Sequence, residues 1–162
     1  MSAVIDSHHD DHHHGPAKGF SRWLYTTNHK DIGSMYLWFS LVMLFVGGAM
    51  AMVIRAELFE PGSQIVSPEF YNQMVTNHGL IMVFGVIMPA FVGFANWMIP
   101  MQIGAPDMAL PRLNNLSFWI LPVAFGILLS TFFMEGGAPN FGWTFYAPLS
   151  TEYAPPTVTF FI

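Results

Sequence analysis

Cysteine is absent from the 162-residue sequence, so disulfide scaffolds, thiolate metal sites and cysteine nucleophiles are all excluded. Charge is nearly as scarce: Asp, Glu, Lys and Arg make up 9% of the chain, where a soluble globular domain carries about 25%. Five basic against ten acidic residues leave a formal charge of −5 and no basic surface for nucleic acid. What fills the space is apolar, at 53% of residues with a mean hydropathy of +0.45. Sixteen Phe, twelve Met and five Trp supply large side chains that lipid accepts. Disorder over most of the length is excluded, and by length alone one domain would suffice.

The apolar residues come in long runs. Residues Ile32 to Ile54 contain no charge over 23 positions, Gly79 to Met101 none over another 23, and Leu116 to Met134 none over 19. Such lengths match a hydrocarbon core of about 30 Å. The fold class expected is therefore all-α and integral to a membrane, with helices at about 32–54, 79–101 and 116–134 in a region covering 20–162. The closing TVTFFI turns apolar again, so a fourth helix is expected to begin at about residue 157, as part of a longer chain. Residues 1–19, rich in His and Asp, carry too little apolar surface to pack and are expected to be a disordered tail. They lack the apolar core of a signal peptide.

Basic residues orient the spans. Lys18, Arg22 and Lys30 precede the first, and Arg112 lies between the second and third, whereas Glu57, Glu60, Glu69, Glu135 and Glu152 lie at the opposite ends with Arg55 as the lone base. By the positive-inside tendency the N-terminus and the 102–115 loop face the cytoplasm. Trp23 and Tyr25 on one side, and Trp143, Tyr146 and Tyr153 on the other, fit the interfacial aromatic belts.

Polar groups near or inside such spans mark candidate sites, because hydrocarbon tolerates them only against protein, water or a cofactor. His78 is placed at the start of the second span. At about 100° per residue it shares a face with Met82, Gly85, Pro89, Gly93 and Asn96. The two glycines leave a slot that either a neighbouring helix or a haem ligated by the imidazole would fit. Arg55 reads either as a residue snorkelling to the interface or as a cation holding an anionic or carbonyl group of a ligand, with Trp143 and Tyr146 as donors at the same level. Glu57, Glu60, Gln64 and the carbonyl of Gly62 lie within eight residues, a hard-oxygen set for Ca²⁺ or Na⁺, or else a solvated acidic loop. Asn96 follows His78 by 18 residues, about 27 Å along a helix, and so falls at the cytoplasmic end. There it meets Asp107, Asn114, Asn115 and Ser117, groups able to order water and admit protons. Asn114 or Asn115 also reads as a cap of the third helix.

The runs WLYTTNHKDIG, IRAEL, VTNHGLIMVF, FANWMIPMQIGAPDMALPRLNNLSFW and GWTFYAPL closely resemble subunit I of cytochrome c oxidase, in the haem–copper oxidase superfamily, over residues 21 to 162. The resemblance implies the opening part of a twelve-helix bundle that passes electrons from cytochrome c to O₂ and couples this to proton uptake and pumping. It implies a low-spin haem A with His78 as one axial ligand, Arg55 on the haem formyl group, and Tyr71 and Trp143 on the propionate side. It makes Asp107 the mouth of a proton path, with Asn96, Asn114 and Ser117 along its start, and puts a Ca²⁺ or Na⁺ site at Glu57, Glu60, Gly62 and Gln64. A high-spin haem and copper would have their ligands outside this chain. The partners implied are the remainder of subunit I, subunits II and III, cytochrome c and the lipid bilayer, with no nucleic acid. The implied location is a bacterial inner membrane, with the N-terminus cytoplasmic.

Two further readings use the same residues: a small haem protein for electron transfer whose second ligand comes from a partner, and a non-catalytic assembly or structural fragment. Under the leading reading the 162-residue chain alone cannot reduce O₂, an expectation that oxygen uptake by the purified chain would check.

Overall fold

The computed structural model describes residues 19–62 and 65–153. The expected tail, apart from residue 19, and the expected fourth helix start near 157 lie outside the described residues.

Every regular element among the described residues is helical. A short helix α1 (Phe20–Tyr25) leads through an extended elbow into α2 (His29–Glu57). The next rod is continuous from Pro68 to Ile103: α3 (Pro68–Leu80), a π-helical segment (Ile81–Ile87) and α4 (Met88–Ile103). Helix α5 (Pro111–Ser130) ends in a 3₁₀ turn (Thr131–Phe133), and a one-turn helix α6 (Leu149–Glu152) follows. Three of these rods, of 29, 36 and 23 residues, are long and apolar enough to cross a membrane. At 1.5 Å per residue each exceeds the roughly 30 Å hydrocarbon core, so their ends project beyond it.

The ends have local causes. The Asn28 side chain accepts from the Lys30 amide at 2.8 Å and starts α2. Ser67 caps α3 by accepting from Phe70 N–H at 3.3 Å, with Pro68 at the first helical position. Gly104, at φ 70°, terminates α4 in the left-handed conformation that glycine adopts without strain. The second rod therefore starts eleven residues before Gly79, at Pro68, and His78 lies inside a helix rather than at its start. Charge-free length measures only what hydrocarbon covers, whereas a capped helix continues into water. Helix α5 begins at Pro111 with Leu110 before it and no side-chain cap, so the capping reading of Asn114 and Asn115 is corrected. Both lie inside the helix, where their amides are free for tertiary bonds.

Helix α2 is the centre of the packing. Near the inner end, the end expected to face the cytoplasm, it meets α4 glycine to glycine: a Cβ at Gly33 would stand 2.9 Å from the Gly93 carbonyl oxygen, and one at Gly93 would stand 3.0 Å from that of Gly33. Backbones approach this closely only without side chains. Further out, Met82 fills the place a Gly47 side chain would take, and Phe125 of α5 lies over Gly85. Helix packing thus occupies both glycines of the slot. Phe39 stands edge-on to Phe118 and Phe125, with centroids at 6.3 and 5.6 Å, and joins the two clusters of the core. Outside this seam the surface stays apolar; Trp38, Phe45 and Phe91 are each about 70% exposed. Such faces need lipid or further protein against them.

The π-helical segment begins three residues after His78. Wider turns of this kind are rare and concentrate at functional sites. Ser40 of α2 donates to the Val86 carbonyl inside it at 2.9 Å.

Candidate functional site

Two polar constellations stand at opposite ends of the three rods. At the outer end, His78 is half-buried between α3 and α2 and its Nδ1 lies 2.9 Å from the Gly47 carbonyl oxygen. A carbonyl only accepts, so Nδ1 carries a proton, and in the tautomer protonated there alone the lone pair is on Nε2. This is the arrangement of a metal-ligating histidine whose other nitrogen is held by a second partner. One residue further on, Gly79 lets Trp143 lie against the helix backbone; a Cβ there would meet the indole side chain at 3.3–3.4 Å. Trp143 also tilts against Phe84, with centroids 6.4 Å apart. Arg55 is exposed on α2, eight residues or about 12 Å beyond Gly47. A nitrogen ligand, a flat indole edge and a cation at one end suit a planar anionic group such as haem.

Tyr71 turns elsewhere. It lines a cleft of about 180 Å³ with Glu57, Leu58, Gly62, Pro68 and Asn72. Glu57 is buried, and one of its carboxylate oxygens accepts from the amides of Ile65 and Val66 at 2.9 and 3.0 Å. The side chain thereby folds the loop back on the end of α2. Gly62 takes φ 105°, Glu60 is exposed, and Gln64 lies outside the described residues. Among the described residues no three of His, Asp or Glu gather in a metal-binding group.

At the inner end, Asp107 accepts from the amides of His29 and Met108 through one oxygen, at 3.3 and 2.8 Å. His29 is buried and its Nδ1 bonds the Asn96 carbonyl oxygen at 2.9 Å, so this one residue touches both Asp107 and α4. Asn114 donates to the Asn96 side-chain oxygen at 2.9 Å. Ser117 donates to the Asn114 carbonyl at 2.7 Å, which spends its only proton; the Tyr36 hydroxyl, 2.8 Å away, must then donate to Ser117. Asn115 donates to the Thr26 carbonyl and pins the elbow before α2. Tyr36 and Ser117 face an open groove of about 470 Å³, otherwise apolar, between α5 and the second rod. At the surface Arg22 grips Asp31 with two nitrogens at 2.9–3.1 Å, and this bond holds the guanidinium pKa above its ordinary value.

Residues 31–162 match the family model described as cytochrome C and quinol oxidase polypeptide I. The chain belongs to that oxidase family. Its relatives include cytochrome c oxidase subunit 1 of Corynebacterium diphtheriae, 49% identical over 146 residues, or 89% of this chain and 26% of the relative. The probable cytochrome c oxidase subunit 1-alpha of Streptomyces coelicolor is 46% identical over 88% of this chain and 25% of its own length. The haem–copper oxidase subunit I+III of Aeropyrum pernix is 45% identical over 85% of this chain and 17% of its own length. The chain thus spans about a quarter or less of the length of these relatives.

For this oxidase-family chain, the structure brings His78 and Trp143 to adjoining positions, and Asn96, Asn114 and Ser117 into one hydrogen-bonded set beside Asp107. It does not bring Tyr71 to Trp143. Sequence reasoning passed over His29 and Tyr36. The signal for His29 was a polar TNHKD stretch directly before a charge-free run; Tyr36 is one aromatic among many inside that run.

Proposed function

We propose that this chain forms the opening part of the catalytic subunit of a cytochrome c oxidase, contributing one axial ligand of a low-spin haem A and the entrance of a proton path. The observation that carries this reading is the His78 Nδ1 bond to the Gly47 carbonyl, which leaves Nε2 as a ligand of fixed tautomer. A haem bound there supplies a one-electron redox centre. His78 would hold the iron of such a haem through Nε2, and the Gly47 carbonyl would raise the basicity of its ring. Arg55 offers a guanidinium to the formyl oxygen, and Trp143 an indole N–H at the propionate edge. Tyr71, which lines the separate cleft beside Glu57, is the further residue this reading assigns to the propionate side. At the inner end Asp107 collects protons. Asn96, Asn114 and Ser117 orient water beyond it, and Tyr36 extends the set along the groove.

Under this reading cytochrome c would be the electron donor, and a second haem and copper, with ligands outside this chain, would supply the O₂ chemistry. The remainder of subunit I and subunits II and III cover the apolar faces, in a bacterial inner membrane with the N-terminus in the cytoplasm. Glu57, Glu60, Gly62 and Gln64 are the residues a Ca²⁺ or Na⁺ would meet. Under this reading the O₂-reducing centre would draw its ligands from outside the three rods, so the rods alone are not expected to reduce O₂. The test is His78→Ala in the complete oxidase: the low-spin haem absorption is lost, because the iron loses a strong-field nitrogen. An unaltered spectrum would overturn the assignment.

A further inference from the structure

We propose that Thr76 and Asn77 are positioning residues that clamp the outer segment 137–143 onto the haem-ligand helix and so fix the Trp143 indole at the haem edge. The proposal rests on the reading in which His78 ligates the low-spin haem.

The clamp consists of three contacts within little more than one turn of α3. Gln73 packs against Gly137, whose φ of 75° and missing side chain make room for it. Thr76, 2% exposed, accepts from the Gly142 amide at 3.0 Å while donating to the Asn72 carbonyl at 2.8 Å. Asn77 is fully buried and donates through one nitrogen to the Gln73 carbonyl at 2.8 Å and the Pro139 carbonyl at 3.3 Å. Both acceptors are carbonyls, so the amide orientation is fixed, and Oδ1 is left buried without a partner among the described residues. An unsatisfied buried acceptor is costly. It is retained where turning the amide over would leave two carbonyls facing an oxygen.

Trp143 comes directly after the clamped Gly142 and one helical position past His78. Among the described residues it makes no hydrogen bond; it leans on Gly79 and Phe84 and is 48% exposed. Nothing in the indole's own contacts fixes its depth along the helix. The Thr76 and Asn77 bonds set that depth and leave Gly79 as the floor. A clamp serving the fold alone could sit anywhere along the 36-residue rod. This one ends at the two residues before the ligand.

The test is Thr76→Val in the complete oxidase, which keeps the shape and removes the hydroxyl. Amide hydrogen exchange across 137–143 should accelerate about tenfold, the expected consequence of losing one buried bond. The low-spin haem absorption should shift by a few nanometres with haem content unchanged, and Thr76→Ser should restore both. If Thr76→Val does not assemble, Gly79→Ala replaces it: the clamp stays closed, Trp143 is displaced, and the band shifts without faster exchange. Unchanged exchange in Thr76→Val overturns the proposal, as does faster exchange with an unmoved haem band. Failure of the underlying ligation reading is seen separately, as a low-spin signal that survives His78→Ala.

Discussion

The outer and inner ends of the three rods are built by different chemistry. At the outer end, polar side chains bond to backbone. His78 holds the Gly47 carbonyl, Glu57 holds two loop amides, and Thr76 and Asn77 hold a loop amide and a loop carbonyl. At the inner end side chains also bond one another, Asn114 to Asn96, Tyr36 to Ser117 and Arg22 to Asp31. Backbone partners have no side-chain rotor on which to turn away, which suits the gripping of one rigid group. Hydroxyl and amide partners rotate and exchange donors for acceptors, which suits water and protons. The two ends therefore make separable contributions, and the chain can be perturbed at one end while the other serves as a control.

The largest expected effect is the complete loss of low-spin absorption in His78→Ala, with the inner network intact. Next comes Asp107→Asn in the complete oxidase. The amide keeps the size and the amide-accepting oxygen but cannot carry a proton. Turnover should fall by about a hundredfold or more, the lower end of what a positioned acid–base group contributes. The low-spin spectrum should stay as it was, because the outer end is untouched. Turnover at the native rate would remove Asp107 from the path. A shifted haem spectrum would break the separation of the two ends.

Much of this division was legible in the sequence, because hydrocarbon imposes counts that charge-free runs report directly. The runs at 32–54, 79–101 and 116–134 fall within helices of the structure, apart from Met134 just past the 3₁₀ turn. What they could not report is the helix outside lipid. Ser67 followed by Pro68 is a helix start that a count of charge-free residues does not register. Asn114 and Asn115 were read as caps because they precede an apolar run, yet Pro111, pre-set for the first turn, had already started the helix. The π-helical IMVFGVI carries no compositional mark at all. Its wider turns break the uniform 100° count that put His78 and Asn96 on one face. In the structure the His78 ring turns to α2, and the Asn96 side chain turns to α5.

That π-helical segment lies between the two ends, and the smallest expected effect tests whether it links them. Ser40 is 6% exposed on α2 and gives its proton to the Val86 carbonyl at 2.9 Å. The Ser40 hydroxyl thus ties α2 to the π-helical segment by a donor from outside that helix. Interhelical bonds of this type in membranes average only about 0.6 kcal/mol, since the separated helices find other partners. Ser40→Ala in the complete oxidase should therefore lower thermal stability slightly, by that order, and leave both the low-spin spectrum and turnover unchanged. Close packing at Gly85, beneath Phe125, holds the segment in place without the hydroxyl. If the haem band and the turnover rate move together in Ser40→Ala, the segment transmits position from His78 to Asn96, and the ends are one mechanical unit rather than two. If only stability moves, the hydroxyl is a local rivet, and signals between the ends must travel through other atoms.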